Sequence, residues 1–461
     1  GSRPIWAQRL PSVFAGLLAV WLTYVAGAIM LGRMGAVIAG SMLATSLIFV
    51  FEAHIAKTDA LLLASTTAAF LALMRLRDGR GRGSAWLFWG ALGVSMMIKG
   101  PVGPSVAVLA LIGLLAWERR AAWLRPLLSA GPILLFLLLW VPWVIAINAA
   151  TDGAFLAESL GRDLGGKIAG AQESHGAPPG YYALTILISL WPASLFLLPG
   201  LVFGWRQARG KEDRFARLCL AWIVPFWLLL ELAPTKLIHY PLPLFPALCL
   251  LMAGAVLAVV ERDGFARSRR VSVLLFALGS AAVTGVILAA QLRHGAPGLT
   301  PVFVFVATLS AALSLFAGIA LWRGRALPAL AGAGMATVLL SGLTYAVLLP
   351  NVEDGRTSQA LAATVPGRIA SIHYTEPSLV YYAGTERVRL GDVVDWEDAE
   401  DWRTETLVID RIGGGVEIDA VRDVVAAAGR CLTVGDPVTG FKYSNFEAVD
   451  LLPVRQVACE S

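Results

Sequence analysis

Long apolar runs dominate the chain, and most of its charges fall in the short gaps between them. A helix needs about 20 apolar residues to cross the hydrocarbon core of a bilayer. Runs approaching that length lie at Pro11 to Leu31, Ala36 to Phe51, Ala60 to Leu76, Pro126 to Ile147, Tyr181 to Phe203, Leu218 to Leu232, Pro241 to Val260, Val271 to Leu292, Thr300 to Leu321 and Pro328 to Leu349. Two shorter ones, Trp86 to Ile98 and Val102 to Trp117, hinge at Lys99-Gly100-Pro101. The pattern predicts a membrane all-α multi-helix bundle of about 12 transmembrane helices over residues 1–349. Beyond it, RIASIHY and TLVIDRI alternate like strands and DAVRDVVAAAG reads as a helix, so residues 350–461 are expected to form a soluble α/β domain.

Composition agrees. Apolar residues are 57% and charged residues 15% of the 461, with mean hydropathy +0.69, against about a quarter charged in an ordinary soluble domain. The basic residues collect in RLRDGRGR, WERRAAWLR, WRQARGKEDRFAR, ERDGFARSRR and WRGR, which with Arg33 hold 19 of the 27 Lys and Arg before Pro350. Positively charged short loops stay in the cytoplasm. Alternation then places FEAHIAKTDA, the Lys99 hinge, the loop Asn148 to Gly180, the PTKLIHY turn and the α/β domain on the other side. The net charge of +5 averages +14 for the membrane part and −9 for residues 351–461, so it carries no indication of nucleic acid. Cys219 and Cys249 fall in apolar runs as small core residues. Cys431 opens the strand-like CLTV and Cys459 follows LPVRQV, so the two can pair in an oxidising compartment. No Cys or His spacing of the metal-ligand kind occurs, and a divalent ion is left open.

Ionisable residues in or at the rim of membrane helices cost about 2.5–3.5 kcal/mol each at the bilayer centre and are functional candidates by default. Here they gather at one face: Glu52, His54, Lys57 and Asp59; Lys99; Glu231, Lys236, His239 and Tyr240; and Arg162, Asp163, Lys167, Glu173 and His175 in the long loop. Lys236 and His239 either hold a phosphate, or Lys236 and Tyr240 merely snorkel toward the headgroups. Lys99 sits between two short helices and needs an anionic partner, a lipid phosphate or a structural pair with Glu52 or Asp59. Thr58 and Asp59 stand where a helix N-cap belongs. Asp59 either positions an acceptor or caps with Lys57. DVVDWEDAEDW reads as a solvated helix face.

Taken in order, RLPSVFAGLLAVWLTY, AHIAKTDALLL, MMIKGPVG, HGAPPGYY, TKLIHYPLPLFPALCLL and YTEPSLVYYAG resemble the lipid A aminoarabinose transferases and the wider group that includes bacterial protein O-mannosyltransferases. These are GT-C glycosyltransferases. The resemblance implies transfer of a sugar, with inversion, from a polyprenyl-phosphate donor to a lipid or protein acceptor, in a multi-pass protein of the bacterial inner membrane acting on its periplasmic side. It assigns Asp59 as a catalytic carboxylate. It places Lys57, Lys99, Lys236, His239 and Tyr240 around the lipid phosphate, with Arg162, Lys167 and His175 binding substrate from the outer loop. The family begins with a further helix and an acidic first loop, so the resemblance implies that both lie upstream of Gly1, and whether their absence removes activity is left open. A different sugar, or transport of a lipid-linked sugar by a flippase, are the competing readings.

Overall fold

The first apolar run and the second are joined without a loop. The segment Ile5–Ala44, α1, is helical on both sides of Gly32, whose φ of +73° reverses the chain. Its two legs, 5–31 and 33–44, run back along each other so closely that a Cβ on Gly27 would lie 2.7 Å from the Cα of Ala36. The second leg stops at Thr45, and a short helix, α2 (Leu47–His54), carries the chain on to the polar stretch. The computed structural model describes residues 4–119, 122–159, 176–210, 215–261, 265–352, 354–391, 394–413, 416–442 and 447–459. By contacts the chain divides into Gly1–Ile287 with Val304–Gly342, and Leu288–Phe303 with Leu343–Ser461.

In the first unit follow α3 (Asp59–Arg77), α4 (Gly81–Lys99), α5 (Val102–Glu118), α6 (Ala130–Ala150), α7 (Tyr181–Ser189), α8 (Leu197–Ala208), α9 (Ala216–Leu232) and α10 (Phe245–Glu261). Then come α11 (Ala266–His294), α12 (Thr300–Trp322) and α13 (Ala326–Leu343), the first two shared in part with the second unit. All twelve apolar runs are largely helical, though not all as single long helices. Among the described residues seven helices are long and apolar enough to cross a membrane, or eight if a bent pair is one span. That pair is the run Tyr181 to Phe203, which bends by 117° at Trp191-Pro192 because proline cannot continue α7. Val102–Glu118 and Ala216–Leu232 are simply shorter, at 17 residues each.

The spans α3 and Leu242–Val259 are 83% and 89% buried inside the protein, whereas Ala130–Ala150 is 0% buried, so α3 and α10 form the hub and α6 the rim. Phe70 of α3 packs edge-on against Trp222 of α9 at 5.1 Å. At its far end α3 is tied to α5 by the Arg77–Glu118 pair, with guanidinium–carboxylate distances of 2.7 and 3.1 Å. What the hub carries at its near end is Asp59.

The second unit contains α14 (Thr357–Thr364), α15 (Pro377–Ala383) and α16 (Ile418–Ala427) and strands β1 (Arg368–Ile372), β2 (Val388–Leu390), β3 (Glu405–Asp410), β4 (Cys431–Val434), β5 (Val438–Phe441) and β6 (Ala448–Val457). The sheet order is β2-β1-β3-β6-β4, with β5 also on β6; β1 is parallel to β2 and β3, and β6 antiparallel to its three partners. Ala370, Leu407, Ile409, Val421, Val425 and Val454 fill the core of one face. Cys431 and Cys459 form a disulfide at the β4–β6 edge. The segment DVVDWEDAEDW is no helix in its described part. Asp395 and Asp398 accept from the backbone N–H groups of Glu397 and Glu400, the local bonding that turns the chain, while Asp401 pairs with Arg389 and Trp402 is buried.

Candidate active site

Two helix ends meet at the polar stretch. Asp59 is the first residue of α3 and Lys99 the last of α4, so each charge sits where its helix dipole favours it. Gly100, at φ +56°, lets the chain leave α4 directly behind Lys99. Lys99 Nζ donates to Asp59 Oδ1 at 2.5 Å, and Asp59 is buried while the Lys99 side chain stays 31% exposed. Of the partners left open for Lys99 within the protein, the structure selects Asp59. Thr58 occupies the N-cap position of α3 but makes no side-chain cap bond.

The PTKLIHY turn brings the third element. Its chain folds tightly, with Tyr240 N–H donating to Leu237 O and Leu242 N–H to His239 O, and this aims the His239 ring back at α2 and α3. His239 Nδ1 lies 3.5 Å from Glu52 Oε1 and Nε2 lies 3.7 Å from Asp59 Oδ1. Tyr240 packs edge-on against His239, and Lys99 Nζ stands 5.8 Å from its ring centroid. Lys57 is exposed beside them and adds its positive field.

Glu52 and His239 lie outside the spanning helices, and burial shifts both toward neutrality. Desolvation first, and the neighbouring Asp59 second, push Glu52 up to about 7, with Lys57 and Lys99 opposing. Desolvation lowers His239 to about 4 against the attraction of Asp59. Glu52 Oε2 is buried without a hydrogen-bond partner among the described residues. One ligand atom from each of Glu52, Asp59 and His239 lies within 4.8 Å of the others, a donor set of two carboxylates and an imidazole that fits a divalent cation. Local Cys and His spacing carried no sign of this set because the three residues come from separate elements.

Lys236 is placed differently from its expected role at a phosphate. Its ammonium is buried and donates to the carbonyls of Leu230, Glu231 and Ala233 at 3.0, 2.8 and 2.8 Å, capping the C-terminus of α9. It also stands 5.4 Å from the Tyr182 ring centroid. Glu231 in turn accepts from Gly180 N–H at 2.8 Å and Ala183 N–H at 3.2 Å, tying the start of α7 to the end of α9. A bridge between Gly176 and Thr235 reinforces the joint. Arg162, Lys167 and His175 lie outside the described residues.

The described chain is thus a helical bundle with a charged cluster where several helix ends meet, together with a mixed-sheet unit. The chain shares its fold with ArnT from Cupriavidus metallidurans in two crystal structures. These are the apo state (TM-score 0.65, 18% identity, 96% of this chain and 83% of that one) and the form bound to undecaprenyl phosphate (TM-score 0.68, 17% identity, 99% and 85%). Residues 1–145 match the family model for dolichyl-phosphate-mannose-protein mannosyltransferase. Among curated proteins it is similar to the undecaprenyl phosphate-alpha-4-amino-4-deoxy-L-arabinose arabinosyl transferases of Pectobacterium carotovorum (30% identical over 279 residues, 57% of this chain and 48% of that one) and Edwardsiella ictaluri (32% over 292 residues, 61% and 50%). The chain spans about half the length of the curated relatives it matches. It is a multi-pass membrane protein that resembles the GT-C glycosyltransferases of the aminoarabinose-transferase kind.

Proposed function

We propose that this chain is a glycosyltransferase that moves a sugar from a polyprenyl phosphate to a cell-envelope acceptor, a lipid A phosphate as in its aminoarabinose-transferase relatives. The observation that carries the proposal is the convergence of Asp59, Lys99, His239 and Glu52 at one end of the hub helix, in a fold shared with a protein solved with undecaprenyl phosphate. The basic loops at the other end support an orientation with the cluster on the periplasmic side of a bacterial inner membrane, and the contact division supports a separate C-terminal domain.

In the reaction an acceptor oxygen attacks the anomeric carbon as the bond from that carbon to the phosphate oxygen breaks. Polyprenyl phosphate leaves with the bonding electrons, and the configuration inverts. Lys99 is the cation for that phosphate: it is partly exposed, and its pair with Asp59 fixes its ammonium while leaving N–H groups to donate. Fixed donors aimed where charge grows are a large term in catalysis. Lys57 adds a second positive charge at the mouth, and Tyr240 limits where the Lys99 ammonium can swing. A phosphate acceptor is already ionised, so Asp59 serves to orient through Lys99. A divalent cation on Glu52, Asp59 and His239 would supply further positive charge beside the phosphates. Lipid A mass spectra from cells with the gene, without it, and with Asp59→Asn test the proposal. A gene-dependent added mass that Asp59→Asn abolishes is expected; an envelope whose lipids do not change on deletion overturns it.

A further inference from the structure

Far from the carboxylate cluster, α11 and α12 enclose a cleft of about 900 Å³. Its walls are mostly small: Ala277, Ala281 and Gly285 on one helix face Ala311, Ser314 and Gly318 on the other. Small facing residues ordinarily let membrane helices close on each other. Of the two wall glycines, Gly318 lies close to the facing helix, where a Cβ would be 3.2 Å from Val273, while Gly285 has nothing within 4 Å. The cleft is thus a wedge that widens away from its Val273 end. Ser314 is buried, lines the cleft and has no hydrogen bond among the described residues.

The narrow end is cationic. Arg323 lines it and is exposed, and Arg270 lies over the ring of Trp322, itself a lining residue, at 5.5 Å from the centroid. From Val273 to Gly285 the wall runs about 18 Å at 1.5 Å per residue, slightly more than one leaflet of a ~30 Å hydrocarbon core. We propose that this cleft binds one anionic glycerophospholipid, its phosphate at Arg323 and Arg270 and one acyl chain lying along Ala277, Ala281 and Gly285. The dimensions suit one chain of one leaflet, and the arginines with an indole at headgroup level suit an anionic phosphate. This lipid is separate from donor and acceptor, because α10 leads the chain from His239 to the opposite end before α11 begins.

Native mass spectrometry of the delipidated full chain, titrated with phosphatidylglycerol or phosphatidylethanolamine, tests the assignment. One retained phosphatidylglycerol is expected, preferred about 25-fold, the ratio that corresponds to the ~1 kcal/mol each of the two arginines contributes toward an anionic headgroup. Arg323→Ala should cut that preference to about fivefold, the share Arg270 supplies. Ala281→Phe, on an exposed wall position, should lose the adduct with unchanged thermal unfolding. Equal retention of the two lipids, an adduct that survives Ala281→Phe, or displacement by stoichiometric undecaprenyl phosphate each overturns it.

Discussion

Lys236→Met separates a lysine that holds a helix end from one that holds a phosphate. Lys236 is only 3% exposed, its ammonium has three backbone carbonyls within 3.0 Å, and methionine keeps the stem while removing all three donors. A net contribution of about 1.5–3 kcal/mol per charge-assisted hydrogen bond gives a gross loss of roughly 4–9 kcal/mol. Removing the charge also removes the several kcal/mol that it costs to desolvate an ammonium. The difference leaves Lys236→Met less stable by about 2–4 kcal/mol, a fall in the unfolding midpoint on the order of 5 °C. The assay is thermal unfolding of purified protein in detergent, beside a titration with undecaprenyl phosphate. Lys236→Arg is the deciding control. A planar guanidinium pairs well with phosphate but cannot place three donors on three converging carbonyls, so arginine should fail to restore stability. A Lys236→Met protein with wild-type melting and weakened phosphate binding that arginine rescues would refute the capping role.

Two further outcomes follow from the geometry. Cys431→Ser with Cys459→Ser opens a link between residues 28 apart, and the loop-entropy estimate of ~3.5 kcal/mol should appear as earlier urea unfolding of the C-terminal unit, followed by its tryptophans; an unchanged transition would place the stabilisation elsewhere. Zinc added to chelator-treated protein should bind once per chain by calorimetry, and Glu52→Gln or His239→Ala should weaken it by ten- to a hundredfold, about 1.4–2.8 kcal/mol; undiminished binding in both would remove the three-residue cation site.

Much of the fold was legible because a helix that faces lipid must be apolar for its whole length, and so writes a long unbroken run. The runs ending at Leu292, Leu321 and Leu349 correspond closely to α11, α12 and α13 with its short continuation. Hydropathy does not register backbone direction, however. Gly32 turns α1 back on itself and Pro192 bends the next pair by 117°, both inside stretches that remain apolar. In the C-terminal unit RIASI and ETLVID became β1 and β3 as their β-branched content suggested. The acidic run before β3 misled because net charge predicts exposure and not helix: Asp395 and Asp398 bond their own backbone two residues on.

The cluster's residue types were legible one at a time, and their pairings were not. Asp59 and Lys99 are 40 positions apart, and His239 reaches Glu52 from a turn after α9. Sequence gives a lysine its charge but not its vacancies. Lys236 and Lys99 both stand at apolar helix ends beside aromatic rings, and the difference lies in which acceptors each side chain reaches. α9 stops with open carbonyls, and the Lys236 ammonium is taken into its cap. α4 ends with the same backbone bond, Gly100 N–H onto Met96 O as Ala233 N–H bonds Leu229 O, but there the Lys99 side chain reaches across to Asp59 instead of folding back onto its own turn. The fate of each lysine is set by the acceptors its stem reaches, a carboxylate on the neighbouring helix for Lys99 and three carbonyls of its own turn for Lys236.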